Sequence, residues 1–200
     1  MHDIRAVIFD MGGVVVRLSS LPDVLAGAGI PETEIWERWI LSEAVRRFER
    51  GRCTVREFAD DLIDEFGVEL SADELIARFS RFPIGLYDGA EQLLADTRAV
   101  CPIGILSNTN ELHWTTQPGH EFLQNAFDHE YLSYAVGLVK PDADIYEHVL
   151  ADLGLGAHQV LFLDDNKVNV DGAIAVGMLG AVAKGPEQAR AALVEFGVLS

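Results

Sequence analysis

The chain is poor in cysteine and in positive charge, and it holds no long apolar run. Only two cysteines occur in 200 residues, Cys53 and Cys101. Their separation and the lack of metal-ligand spacing exclude a disulfide framework and a thiolate zinc site, so reduced, partly buried thiols are expected. Lysine and arginine number 15 against 32 acidic residues, a formal net charge of −17. Nucleic-acid binding needs a basic face, which excludes that class of partner. No stretch approaches the roughly 20 apolar residues of a membrane span, and Met1-His2-Asp3-Ile4-Arg5 lacks the pattern of a secretory signal. Repeats, low-complexity tracts and long linkers are missing too. The expectation is a soluble cytoplasmic protein without a membrane partner, monomeric or homodimeric.

What is present is core-forming material. With 49% hydrophobic and 24% charged residues, the chain can bury a sizeable core. Its length suits one α/β domain, or a core of about 130 residues carrying a smaller insertion. The organising stretch is Ala6-Val7-Ile8-Phe9-Asp10-Met11-Gly12-Gly13. The apolar run reads as a strand buried on both faces, as in a parallel sheet. Taken alone, Asp10 before a glycine pair is ordinary turn chemistry. Two further runs end in the same way. Pro102 to Leu106 leads into Ser107-Asn108, and Val160 to Leu163 into Asp164-Asp165-Asn166, while Lys140-Pro141-Asp142 precedes a helix start. If these runs are parallel neighbours, their terminal groups share the sheet edge where open α/β sheets hold ligands.

In chain order, the first strand spans about 4–10, and Val14-Val15-Val16 are expected to continue extended. Helical periodicity then takes over. Ser20 before Leu21-Pro22 suggests a helix start, with a stop at Gly27 or Gly29. Pro31 to Leu41 carries Ile35, Trp36, Trp39 and Ile40 at helical spacing. Thr54-Val55-Arg56-Glu57 and Ser71-Ala72-Asp73-Glu74 are capping boxes. From Asp88 strands and helices alternate: helix to Arg98, strand 102–107, an interrupted helical stretch 110–127, strand 127–131, helix 142–153, strand 160–164, helix 168–176, strand 178–183 and a helix from Pro186. The fold class is therefore α/β, a doubly wound Rossmann-like parallel sheet formed by 1–16 and 84–200, with 17–83 inserted as a small helical bundle.

The strand ends carry the chemistry. Asp164-Asp165 with Asp10 form a hard, oxygen-rich site of the kind that suits Mg²⁺, and such acids repel one another without a cation. Ser107 and Asn108 offer hydroxyl, amide and backbone N–H donors for phosphate oxygens. Lys140 is a point charge able to neutralise a transferring phosphoryl group, and an aspartate can be its acceptor.

Phe9-Asp10-x-Gly-Gly-Val, Leu106-Ser107-Asn108, Lys140-Pro141 and Asp164-Asp165-Asn166 resemble, in order, the four motifs of haloacid dehalogenase superfamily phosphohydrolases with a helical cap after the first motif. The stretch Leu106-Ser107-Asn108-Thr109-Asn110-Glu111-Leu112-His113 is similar to a bacterial subgroup that includes an α-glucose-1-phosphate phosphatase. The resemblance implies Asp10 as nucleophile and metal ligand, with the Gly12 carbonyl also facing Mg²⁺. It gives Ser107 and Asn108 the phosphoryl oxygens, and Lys140 the stabilisation of Asp10 and the transferring group. Asp165 would bind Mg²⁺ directly and Asp164 through water, with Asn169 supporting the loop. The implied substrate is a small phosphorylated metabolite, a sugar phosphate being the expectation.

One departure stands out. Many family phosphatases carry a general-acid aspartate where this chain has Gly12, a loss worth about 10²–10⁴-fold. Candidate stand-ins are Glu49 and His113, or a leaving group that needs little protonation. The departure also leaves open a binding or regulatory domain with little catalysis. A dehalogenase is disfavoured by the Asp164-Asp165 pair. His113 and Trp114 are expected to pack or lie at the surface. Gly51 in Phe48-Glu49-Arg50-Gly51 reads equally as helix-end chemistry. Trp36, Trp39, Phe58 and Phe66 are expected in the insertion's core, and Asp60-Asp61 with Asp64-Glu65 on a solvated face.

Overall fold

The computed structural model describes residues 3–25 and 30–200. Strand β1 (Ala6–Phe9) is buried along its whole length, because a parallel strand flanks it on each side and helices cover both faces. After Asp10 the chain folds back at once. The amides of Val15 and Val16 both donate to the Met11 carbonyl, so Val14 and Val15 lie in a turn and not in the extended run expected of them. Strand β2 (Val16–Leu18) follows.

Among the described residues, five helices come next: α1 (Leu21–Val24), α2 (Glu32–Leu41), α3 (Glu43–Glu49), α4 (Val55–Phe66) and α5 (Ala72–Phe79). The expected stop of α1 at Gly27 or Gly29 lies outside the described residues. Thr54 and Ser71 close full capping boxes with Glu57 and Glu74. In each, the N-cap hydroxyl satisfies an orphan N–H and the acid returns the favour. Phe58 sits at the centre of this bundle, stacked on Phe48 at 4.3 Å and tilted against Phe79 at 5.0 Å. Strand β3 (Pro83–Leu86) then pairs antiparallel with β2, Val16 opposite Leu86. This two-stranded ribbon was not expected. Proline and glycine in Pro83-Ile84-Gly85-Leu86 weaken any strand signal, and only an edge position tolerates them.

The remaining elements are α6 (Ala90–Arg98), β4 (Ile103–Ser107), α7 (Glu111–Thr116), α8 (His120–Ala126), β5 (His129–Leu132), α9 (Ser133–Val136), α10 (Ala143–Leu153), β6 (Val160–Asp164), α11 (Lys167–Ala175), β7 (Leu179–Val182) and α12 (Gly185–Glu195). Five strands form one parallel sheet in the order β5-β4-β1-β6-β7. Side chains alternate between its faces. Val7, Phe9, Ile103 and Leu163 pack with Leu93, Leu123 and Leu193 on one side, and Ile8 and Phe162 with Ile145, Val149 and Ala173 on the other. The sheet is doubly wound. Its register sets Phe9 beside Ile105 and Leu163, so the groups after β1 and at the ends of β4 and β6 emerge together.

Candidate active site

The parallel register brings four chain segments to one edge. Asp10 is held by its own amide, which donates to the Leu163 carbonyl at 2.8 Å. Lys140 reaches this edge from the loop before α10 and is only 2% exposed. Its Nζ donates to Asp10 Oδ1 at 2.6 Å, Asp164 Oδ2 at 2.7 Å and the Leu106 carbonyl at 3.0 Å. Burial opposes its charge, but the carboxylates of Asp10 and Asp164 outweigh burial and hold the ammonium above its ordinary range.

The acids show the complementary tension. Burial pushes the Asp10 carboxyl well above the usual carboxylate range, the charges of Asp164 and Asp165 add to the rise, and Lys140 offsets part of it. Asp165 is raised to about 6, first by desolvation and then by Asp164. Asp164 is fully buried and its oxygens are occupied: Lys140, the Asn166 amide at 2.8 Å and the Asn169 side chain at 3.0 Å all donate to it. Asn169 thus braces the β6–α11 loop.

Asp10, Asp164 and Asp165 each offer an oxygen within 4.8 Å of the others. Three carboxylates against one ammonium leave two negative charges, the deficit that a divalent cation fills. Oxygen-only ligands of this kind suit Mg²⁺. The residues present fit that ion.

Ser107 ends β4 and is buried, and its hydroxyl bonds to no side chain or backbone group among the described residues. Asn108 is committed further than its motif suggests. Its amide nitrogen donates to the Lys140 carbonyl at 3.0 Å and its amide oxygen accepts from the Lys140 amide at 2.8 Å. The side chain thus clasps the lysine loop. Nothing in the sequence marked that second task.

The two stand-in acids separate cleanly. His113 is buried, with Nε2 at 2.7 Å from the Phe79 carbonyl and Nδ1 facing the Asn110 amide at 3.3 Å. Burial lowers its pKa to about 4, so near neutrality it holds no spare proton. Glu49, at the end of α3, lines the cleft with Asp10, Ser107 and Lys140. Desolvation raises it to about 7 against the pull of Lys140, Arg46, the Asn108 amide and Arg50.

Its helix is docked on the sheet domain. Arg46 and Arg50 both donate to Asp142 Oδ2, at 2.6 and 2.7 Å. A Cβ at Gly51 would lie 2.5 Å from the Tyr134 carbonyl, so close approach as well as helix-end geometry requires glycine there. Trp39, Phe58, Phe66 and Trp114 are buried as expected, but Trp36 is 42% exposed and lines the cleft. The acidic face of α4 is partly engaged, Glu65 accepting from Ser42 and Asp61 from Arg47. Cys53 and Cys101 are free, partly buried thiols.

A buried lysine bridging two strand-end aspartates, with a third acid beside them, defines a Rossmann-like hydrolase with a cation site. Residues 4–177 match the haloacid dehalogenase-like hydrolase family model, and the chain belongs to that family. It is 31% identical over 188 residues to a sesquiterpene phosphatase of Aspergillus oryzae, covering 88% of each chain. It is 27% identical over 183 residues to a D-ribitol-5-phosphate phosphatase of Bacteroides thetaiotaomicron, covering 84% of this chain and 85% of that one. A solved structure of a family enzyme from B. thetaiotaomicron, in complex with magnesium and inorganic phosphate, superposes with a TM-score of 0.71 at 26% identity, covering 90% of this chain and 94% of that one.

Proposed function

We propose that the enzyme hydrolyses a small phosphate monoester in a Mg²⁺-dependent reaction, with the phosphoryl group carried transiently on Asp10. The Lys140 bridge between Asp10 and Asp164, beside Asp165, carries this reading. Two phosphatases among the relatives, and the magnesium and phosphate bound in the similar structure, support it.

Asp10 and Asp165 would hold the ion with the Gly12 carbonyl, and Asp164, its oxygens already bonded, would act through water. Bound there, Mg²⁺ neutralises charge on the phosphoryl oxygens. Lys140 holds one oxygen of Asp10 so that the other faces the phosphorus. That oxygen forms a bond to phosphorus as the ester P–O bond breaks. Ser107 and the backbone N–H of Asn108 donate to the phosphoryl oxygens, where charge concentrates. The departing alkoxide takes its proton from Glu49. Water then attacks the phosphorus, its proton passing to the Glu49 carboxylate as the Asp10–phosphorus bond breaks, which releases inorganic phosphate and restores both carboxyl groups to their starting states. The bundle α1–α5 serves as a cap that excludes bulk water.

The ribitol-phosphate phosphatase favours a sugar or polyol phosphate as substrate, and the sesquiterpene phosphatase a hydrophobic one. Both are phosphate monoesters of an alcohol. Phosphate release from a panel of monoesters, with and without Mg²⁺ and beside an Asp10→Asn control, tests the proposal. Metal-dependent release lost in the control supports it. Release from none of them by folded protein would replace it with the binding-domain reading.

A further inference from the structure

The cleft above Asp10 has two unlike halves within a volume of about 350 Å³, the small end of the range for small-molecule sites. Its floor is the polar group at the strand ends. Its upper wall is formed by Leu18, Trp36, Trp39, Ile40, Phe79 and Phe82. Helix α2 supplies Trp36, Trp39 and Ile40 at i, i+3 and i+4, the spacing that puts three side chains on one face. The Trp36 ring lies 6.1 Å from Phe82, and Trp39 lies 5.8 Å from Phe79. The wall is continuous and aromatic.

Two details sharpen the contrast. A Cβ at Gly12 would meet Leu18 Cδ1 at 3.0 Å, so a hydrocarbon side chain fills the space beside the nucleophile. Among the described residues, Glu49 is the single charged side chain of the cap that lines the cleft. His113 adds no free donor, since both ring nitrogens are engaged. An alcohol with several hydroxyls would lose its water hydrogen bonds against this wall and regain few of them, the cap offering one carboxyl and two indole N–H groups. A hydrocarbon body would instead cover an indole that is 42% open, which favours burial.

We infer that the substrate is the phosphate monoester of a hydrophobic alcohol, its hydrocarbon body seated against Trp36, Ile40, Leu18 and Phe82 while Glu49 faces the ester oxygen. This rests on the phosphatase reading and narrows it to a substrate class. A branched aliphatic chain and an aromatic ring share the required chemistry.

The test compares primary alkyl phosphates, so that leaving-group basicity is matched: citronellyl phosphate, naphthylethyl phosphate and D-ribitol 5-phosphate, with acetyl phosphate as a small reference. The expected result is a kcat/KM for one or both hydrophobic esters about 10²-fold above the polyol ester, the two arms telling chain from ring. Trp36→Ala should lower that ratio roughly tenfold, the scale of one lost apolar contact set. Calorimetry on Asp10→Asn protein, which needs no turnover, should show citronellyl phosphate binding more tightly than inorganic phosphate. Turnover of acetyl phosphate with ribitol 5-phosphate equal to or better than the hydrophobic esters would overturn the inference and leave the phosphatase standing. No turnover of any ester would remove both.

Discussion

A methyl group on Gly13 would lie 2.2 Å from a carboxylate oxygen of Asp165. The glycine also holds φ at +82°, a region that side chains adopt only with strain. The turn after Asp10 is therefore the surface against which Asp165 is aimed.

Gly13→Ala should push Asp165 aside while β1 and its neighbours remain paired. The apparent affinity for Mg²⁺ is expected to fall about 10- to 100-fold, as when a metal ligand loses its support. Titrating activity against Mg²⁺ and following far-UV circular dichroism would separate lost metal from lost fold.

Lys140→Met removes the ammonium and leaves Asp10 and Asp164 facing each other in the interior. Breaking a buried ion pair from one side costs about 3–5 kcal/mol. Denaturant unfolding should show that loss, and phosphate release should vanish. A variant as stable as the parent would mean that the triad does not hold the sheet edge together.

Glu49 gives the activity a pH signature. A general acid must start protonated, and this carboxyl titrates at about 7, so turnover of alkyl phosphates should fall as pH rises through that value. In Glu49→Gln that alkaline limb should disappear, with rates about 10²–10⁴-fold lower. Activated aryl esters should suffer far less, because their leaving groups need little protonation. Equal losses on both classes would remove Glu49 from proton transfer.

Asp142 shields Glu49 from two guanidinium groups. Asp142→Asn leaves Arg46 and Arg50 without their shared partner, and uncompensated positive charge favours the ionised carboxyl. The alkaline limb should therefore move to lower pH. A pH profile of kcat/KM beside the parent reads the shift directly.

The three central strands β1, β4 and β6 were legible because they are continuous apolar runs, each closed by a chemically distinctive residue. Ser107 and Asp164 announce strand ends as clearly as Ile105 and Phe162 announce interiors. Helices α4 and α5 were legible from their capping boxes, which are local. The β2–β3 ribbon was not, since Pro83 and Gly85 become a strand only through the partner supplied by Val16 to Leu18. Ser42 is at once the C-cap of α2 and the N-cap of α3, so no loop longer than that one residue separates the two in the sequence. In the site, the acids and Lys140 could be read from their motifs. The Asn108 clasp, the choice of Glu49 over His113 and the exposure of Trp36 depend on contacts between residues 30 or more apart, which periodicity does not encode.

The ribbon has a consequence for how this enzyme can change. The chain leaves the sheet domain along β2 and returns along β3, two paired strands with a register shift between Arg17 and Leu18, so the bundle's covalent connections are confined to one narrow ribbon. A bundle of different lining grafted between Arg17 and Ile84 would leave β1, β4 and β6 in register, and with them Asp10, Ser107 and Asp164. Asp10, Ser107, Lys140 and Asp165 thus belong to the segments that stay, while the cleft wall and the carboxyl of Glu49 belong to the segment exchanged, so a new bundle must bring its own proton donor along with its own lining.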